Sequence, residues 1–255
     1  MSNRKRQRLD LLLVERGLAS SRERAQALIL AGDVWVGEVR AAKAGLEVAR
    51  DAPLRLRAPE HPWASRGGLK LAGALEALGV PVAGRVALDV GSSTGGFTDV
   101  LLSHGASRVY AVDVGYGQLE SRLRDDARVV VLDRTNARHL SREHVPEPID
   151  LATIDVSFIS LRLVLRPVLA LLAPGGDVMA MVKPQFEAGR GGAPGGVVRD
   201  EVRRLAIVDG VAAFALTLGL DTLGRSDSPI RGPKGNLETF LWLTSSRVAD
   251  GPLVV

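Results

Sequence analysis

The sequence predicts an α/β protein: a mostly parallel, seven-stranded sheet flanked by helices, preceded by a small α+β unit. Three observations lead there. From Val86 onward, short apolar runs alternate with helical patterns, as the strands and crossover helices of a parallel sheet do. One such run, Val86–Val90, passes directly into a glycine-rich turn and then a helix, the βα junction at which these sheets bind ligands. The charge is also uneven. Residues 1–60 carry 12 Lys/Arg against 8 Asp/Glu, whereas residues 61–255 carry 21 of each, so the net +4 sits in the first quarter. A local basic excess marks a polyanion-binding module, or a solvated face.

Composition sets further bounds. At 255 residues and 46% hydrophobic, the chain can hold one large domain, or a small and a medium one. No apolar run approaches the ~20 residues of a membrane span. The start, Ser2 to Arg8, is basic, and Leu11–Val14 is too short for a signal peptide, so a cytoplasmic protein is expected. The absence of cysteine excludes disulfides, thiolate zinc sites and a cysteine nucleophile. His61, His104, His139 and His144 lack ligand spacing and read as surface or loop residues; no metal site is expected.

Along the first module, Leu9, Leu12 and Leu13 recur at helical spacing before Gly17. Ser20-Ser21-Arg22-Glu23 reads as a capping box opening a second helix, with Ala25, Leu28 and Ile29 inward. Ala31-Gly32-Asp33 turns the chain into a strand, Val34–Gly37, and a second strand, Pro53–Arg57, follows a polar connection. The predicted module is 1–58, the linker 59–64 and the larger domain 65–255.

In the larger domain, Ser65-Arg66-Gly67-Gly68-Leu69-Lys70 opens a helix. Strands are expected at Val86–Val90, Arg108–Val112, Arg128–Leu132, Leu151–Asp155 and Asp177–Val182, with helices at Leu161–Leu172 and Glu201–Leu218. Asp221–Arg225 and Glu238–Thr244 complete the sheet as an antiparallel pair, an arrangement that fits the Rossmann-like class I methyltransferases.

The loop Asp89-Val90-Gly91-Ser92-Ser93-Thr94-Gly95-Gly96-Phe97 is the strongest local signal. Its glycines follow G-x-x-x-G-G, which is neither the dinucleotide pattern G-x-G-x-x-G nor a Walker loop, since no Lys-Ser or Lys-Thr follows. Free N–H groups and missing Cβ atoms at the helix start suit a closely approaching ligand. Asp113, 24 residues beyond Asp89 at the end of the next strand, stands where an acid grips ribose hydroxyls. Together they point to an adenosine-bearing cofactor, S-adenosylmethionine. Gly91, Ser92, Ser93, Thr94, Gly95, Gly96 and Phe97 are assigned to its methionine end, Asp113 to the ribose and Asp133 to the adenine side, and Asp89 is counted with the cofactor-binding residues. Gly189–Gly196 reads as a loop closing over the site or as a flexible connection.

Ligands in such sheets sit beyond the carboxyl ends of the strands. Lys70, Asp155, Lys183 and Glu238 all fall at that edge. Asp155-Val156-Ser157-Phe158 is not the Asn/Asp-Pro-Pro-aromatic loop typical of amine methylation, and no cysteine is present to attack a pyrimidine carbon, so a hydroxyl is the best methyl acceptor. Such a weak nucleophile needs a base or a strong orienting hydrogen bond. A lysine can take that role where burial or a second cation favours its neutral form.

Two resemblances sharpen the reading. Arg8-Leu9-Asp10, Ser21-Arg22-Glu23-Arg24-Ala25 and Ala31–Gly37 resemble the S4 RNA-binding domain, which implies RNA contact by Arg8, Arg22 and Arg24, with Lys5 and Arg6 adjoining. Across nearly its whole length the chain is similar to the TlyA family, an S4 domain fused to an FtsJ-like ribosomal RNA 2′-O-methyltransferase. The resemblance is carried by Ser65–Lys70, Asp89–Phe97, Asp133–Arg138, Asp155–Phe158, Lys183–Phe186 and Arg231–Asn236. It implies a catalytic tetrad of Lys70, Asp155, Lys183 and Glu238, with Arg66 on the RNA side. It further implies cytidine riboses of 16S or 23S rRNA as acceptors, ribosomal subunits as partners, and a monomer or weak homodimer. The alternatives are a non-catalytic ribosome-assembly factor and the haemolysin-like activity with which the family is often labelled.

Overall fold

The computed structural model describes residues 6–19, 21–56, 61–189 and 191–245. The chain divides into two compact units, Met1–Ser65 and Arg66–Val255. Among the described residues no helix is long and apolar enough to cross a membrane.

The first unit runs β1 (Arg6–Arg8), α1 (Leu9–Glu15), α2 (Arg22–Ala31), β2 (Val34–Val36), β3 (Val39–Arg40), β4 (Glu47–Ala49) and β5 (Leu54–Leu56). Leu9, Leu12 and Leu13 share one helical face and close a core with Ala25, Leu28, Ile29, Val34 and Val48. The α2 cap stands one residue later than the expected box. Ser21 is the N-cap and its hydroxyl accepts from Arg24 N at 3.1 Å, so the third helical position is Arg24 and Glu23 has no reciprocal bond to make. Ser20 lies outside the described residues, as do Arg57 and the linker residues 59 and 60. Three strands appear that the sequence does not announce. β1 is Arg-Gln-Arg, and main-chain pairing with β4 makes it a strand without any apolar alternation. β4 is its partner, and β3 is a two-residue return beside β2.

The second unit contains α3 (Gly67–Leu78), β6 (Val86–Val90), α4 (Gly96–Ser103), β7 (Arg108–Val112), α5 (Ser121–Arg124), β8 (Val129–Leu132) and β9 (Ile149–Ile154). It continues through α6 (Leu165–Leu169), β10 (Leu172–Val182), α7 (Pro184–Glu187), α8 (Glu201–Thr217), β11 (Leu220–Asp227) and β12 (Thr239–Ser245). The seven strands lie in the order β11-β12-β10-β9-β6-β7-β8, parallel except for β12, which runs against both neighbours. Apolar residues of β6, β9, β10 and β12 form the core with Val164, Leu165 and Val168 on one side and Val208, Val211 and Ala215 of α8. Strand order reverses between β6 and β9, which opens a crevice at their carboxyl ends.

One expected helix is broken. Leu161–Leu172 becomes a short 3-10 turn, Leu161–Leu163, then α6, and Leu172 already belongs to β10. Pro167 explains the restart: its ring is tolerated in a first turn but not in a helix interior.

Candidate active site

Register brings the four expected catalytic residues to one edge. Val182, the last residue of β10, pairs with Thr239, the first of β12, so Lys183 and Glu238 continue the ladder as cross-strand neighbours. β9 is paired to the other side of β10 and ends at Ile154, which brings Asp155 to the same edge. Lys70, on the first turns of α3, reaches in to donate to Glu238 Oε2 at 2.5 Å. Lys183 Nζ stands 2.5 Å from Asp155 Oδ1 and donates to Ser157 Oγ at 2.8 Å. Lys70, Lys183 and Glu238 are all buried, and such charges persist only when paired. The edge therefore holds two lysine–carboxylate pairs side by side.

The glycine loop has a different internal logic from the expected one. A Cβ on Gly91 (φ +88) would stand 2.6 Å from the Asp155 carbonyl, and one on Gly95 (φ +99) 2.3 Å from Leu123. Gly91 is thus demanded by the approach of β6 to the backbone of the residue that pairs with Lys183, and Gly95 by its left-handed φ. Four of the N–H groups read as free are engaged: Gly91 and Ser92 donate to Val112 O, Ser93 to Asp113 Oδ2, and Gly95 to Ser92 O. Thr94 O accepts from Glu120 N, and Gly96 begins α4. Phe97 is buried against Phe240, ring centroids 5.9 Å apart.

Asp89 corrects an expectation. It has no accessible surface, so it cannot touch a cofactor in the crevice. Its carboxylate accepts from Thr98 Oγ1 at 2.7 Å and Thr153 Oγ1 at 3.2 Å, tying α4 and β9 to β6. Burial, with a smaller contribution from the Asp155 charge, pushes its carboxyl up to about 7. Asp113 and Asp133 remain at the carboxyl ends of β7 and β8 with part of their surface open. Asp113 accepts one N–H on each oxygen, from Ser93 and Gly115; Asp133 Oδ2 accepts from Gly117 N and Arg124.

Sequence reasoning passed over several participants. Thr98 and Thr153, which hold Asp89, give no sequence signal beyond being polar residues within apolar runs. Gln185 Oε1 is buried near Lys183 in sequence and has no hydrogen-bond partner among the described residues. Phe158 is 91% exposed, with φ +64, and its ring lies 5.1 Å from that of Phe186. A bulky residue held left-handed costs ~1–3 kcal/mol, and such strain clusters at functional sites.

The basic residues of the first unit are not equivalent. Asp10, fully buried, accepts from Arg8 on both oxygens (3.0 and 2.8 Å), and from Arg22 at 3.1 Å and Gln26 at 3.0 Å. The Arg8 guanidinium above all holds the Asp10 carboxyl well below the usual carboxylate range. Arg8 and Arg22 keep their outer faces open, and Arg6 donates to Glu47 O. Arg24 corrects the expectation that it faces outward. It is buried, donates to Ala64 O at 2.7 Å, and lies 2.9 Å from the ring nitrogens of His61. His61, expected at the surface, is buried with it. Arg66 is the N-cap residue of α3, and Lys5 lies outside the described residues.

Comparison with known proteins places this geometry. The FtsJ-like methyltransferase profile matches residues 63–245, and the S4 domain profile matches residues 7–52. The 16S/23S rRNA (cytidine-2′-O)-methyltransferase TlyA of Mycobacterium tuberculosis is 49% identical over 94% of this chain and 90% of its own length. The chain belongs to the TlyA family of FtsJ-like methyltransferases. A solved structure described as a candidate hemolysin from Streptococcus thermophilus superposes with a TM-score of 0.75, at 39% identity over 95% of this chain and 90% of that one. Hemolysin A of Brachyspira hyodysenteriae is 37% identical over 91% of this chain and 97% of its own length. All four motifs at the reactive edge of this FtsJ-like domain fall inside the matched span.

Proposed function

We propose that the chain is an S-adenosylmethionine-dependent methyltransferase acting on the ribose 2′-oxygen of cytidine in ribosomal RNA. The observation that carries this reading is the convergence of Lys183–Asp155 and Lys70–Glu238 beside the 91–96 loop. The relative named for that reaction is 49% identical over 94% of this chain.

The residues present suit the cofactor. Asp113 keeps a lone pair on each oxygen for ribose hydroxyls, and Asp133 offers an acceptor for an adenine amine. Four of the loop's N–H groups are engaged by the protein itself, whereas those of Thr94, Gly96 and Phe97 make no hydrogen bond among the described residues and would be left for the polar methionine end. When bound, the cofactor supplies an electrophilic methyl group whose transfer leaves a neutral thioether. Gly91 to Gly96 would hold the methionine end, Asp113 the ribose and Asp133 the adenine.

The chain then has two tasks: to orient the hydroxyl and to take its proton. As the 2′-oxygen becomes the nucleophile, its hydroxyl proton must leave, and the residues of the edge have to receive it. Lys183 Nζ is the acceptor in this scheme, having first passed a proton to Asp155, whose side chain is partly open to solvent although the oxygen facing Lys183 is buried. Ser157 fixes the direction of Nζ. Lys70, anchored by Glu238, stabilises charge building on the oxygen in a largely dry site, where such interactions are strong. The exposed Phe158 ring offers a stacking face for an unpaired base. Arg6, Arg8 and Arg22 would contact RNA phosphates.

The test is transfer of labelled methyl from S-adenosylmethionine to ribosomal subunits or their rRNA. The unmodified protein is expected to label rRNA and Lys183→Ala to lose at least about a hundredfold in kcat, the scale of a lost proton-transfer group. Absence of label with the unmodified protein would refute the enzyme reading.

A further inference from the structure

Beside the reactive edge lies a cleft of about 320 Å³ between residues 197–204 and 231–237. Its charged lining is Arg199, Arg204, Arg231 and Lys234 against a single acid, Glu201. Arg204 is 4% exposed and already balanced: it bonds Asp227 at 2.8 Å, Thr239 at 2.8 Å and Glu201 at 3.1 Å. Its Nε is buried without a hydrogen-bond partner among the described residues. The other three cations are exposed. Arg231 bonds only the Gly235 carbonyl among the contacts described, while Arg199 and Lys234 make no hydrogen bond or ion pair among the described residues. Three uncompensated cations over a buried donor with a spare N–H make an anion site.

The walls are fixed rather than loose. Asn236, 2% exposed, accepts from Val198 N at 2.9 Å and donates to Gly196 O at 2.9 Å, joining the two segments. Gly232 N donates to Asn236 O, and a Cβ on Gly232 would stand 2.6 Å from Glu238 Oε1. The cleft therefore shares the segment 231–237 with the packing that holds Glu238, the carboxylate that anchors Lys70.

We propose that this cleft binds a backbone phosphate of the substrate RNA strand, fixing the register of the target ribose against Lys183. The proposal rests on the RNA-methylating reading above. It gives the segment 231–237 a second role, joining phosphate capture to placement of Glu238.

The test compares Arg199→Ala/Lys234→Ala with the unmodified protein and with Arg142→Ala/Arg166→Ala, a control removing two exposed cations elsewhere. Binding of a short, fluorescently labelled oligocytidylate is titrated at several salt concentrations, and S-adenosylmethionine affinity is measured alongside. The cleft variant is expected to bind RNA about tenfold more weakly, with a salt slope shallower by about 0.7 for the lost phosphate contact. Cofactor affinity is expected to be unchanged and the control near the unmodified protein. An unchanged RNA affinity and slope, or an equal loss in the control, would overturn the proposal. Methyl transfer to rRNA is followed in the same proteins. Loss of transfer in the unmodified protein counts against the enzyme reading, and the oligocytidylate titration still decides the cleft.

Discussion

At the scale of single residues, the site is governed by where charge is buried and what faces it. Glu238 and Lys70 are both almost completely buried, so removing one leaves the other without its counter-charge. Glu238→Gln is expected to destabilise the protein by about 3 kcal/mol and to reduce transfer sharply. Replacing both, as Lys70→Met/Glu238→Leu, should restore stability in a denaturant titration without restoring activity. Recovery of activity in that double variant would show that the pair is structural. Asp89 provides a pH signature. Its carboxyl is raised in the fold to about 7 against about 3.9 unfolded, so between pH 4 and 7 the folded state holds a proton that the unfolded state has lost. Stability contributed by this group is complete below about pH 4 and is lost as pH rises to about 7, with a slope of at most about 1.4 kcal/mol per unit. In Asp89→Asn that segment of the stability profile should flatten, measured by thermal or denaturant unfolding at pH 5 and pH 8.

At the scale of elements, two junctions set the geometry. The first is the β6–loop–α4 turn, where Gly91→Ala would drive a Cβ into the Asp155 carbonyl at a positive φ. The variant should lose ~1–3 kcal/mol of stability and, by displacing Asp155 from Lys183, lower kcat more than it weakens cofactor binding. The second is the start of α2, where Ser21→Ala removes the side-chain cap of that helix and should cost ~1 kcal/mol in the small unit. Both junctions were partly legible in the sequence. The glycines and the serine announce themselves by residue type, but what they serve does not. Gly91 and Gly95 read as openings for a ligand because local sequence cannot show that Asp155 and Leu123, far along the chain, fill the space. The cap stands one residue later than expected because Ser20 and Ser21 are chemically equivalent acceptors for the same motif. Strands β6, β7 and β12 were close to their expected bounds because apolar runs define them. β1 escaped because a strand made of Arg-Gln-Arg is specified only by its partner. Arg24 and His61 were misplaced for the same reason: polar residues default to the surface unless a distant partner is known.

At the scale of the whole molecule, two units divide the work without a shared charge balance. The second unit carries the four edge residues and the acids proposed for the cofactor, Asp113 and Asp133; the first carries the basic excess. Asp10 gathers Arg8 and Arg22 onto one carboxylate while leaving their outer faces open, so the pair is oriented rather than neutralised. Arg8→Glu/Arg22→Glu is therefore expected to weaken rRNA binding at least tenfold and to leave S-adenosylmethionine affinity unchanged, as read by calorimetry. Loss of both affinities would indicate unfolding of the first unit instead. The central claim is that the reactive edge methylates a ribose oxygen, and the chemistry of the product tests it directly. A 2′-O-methyl group removes the nucleophile that cleaves RNA in alkali, so labelled rRNA digested with base should yield an alkali-resistant dinucleotide bearing the label on cytidine. Label recovered wholly in mononucleotides would place the methyl group on a base and contradict the account.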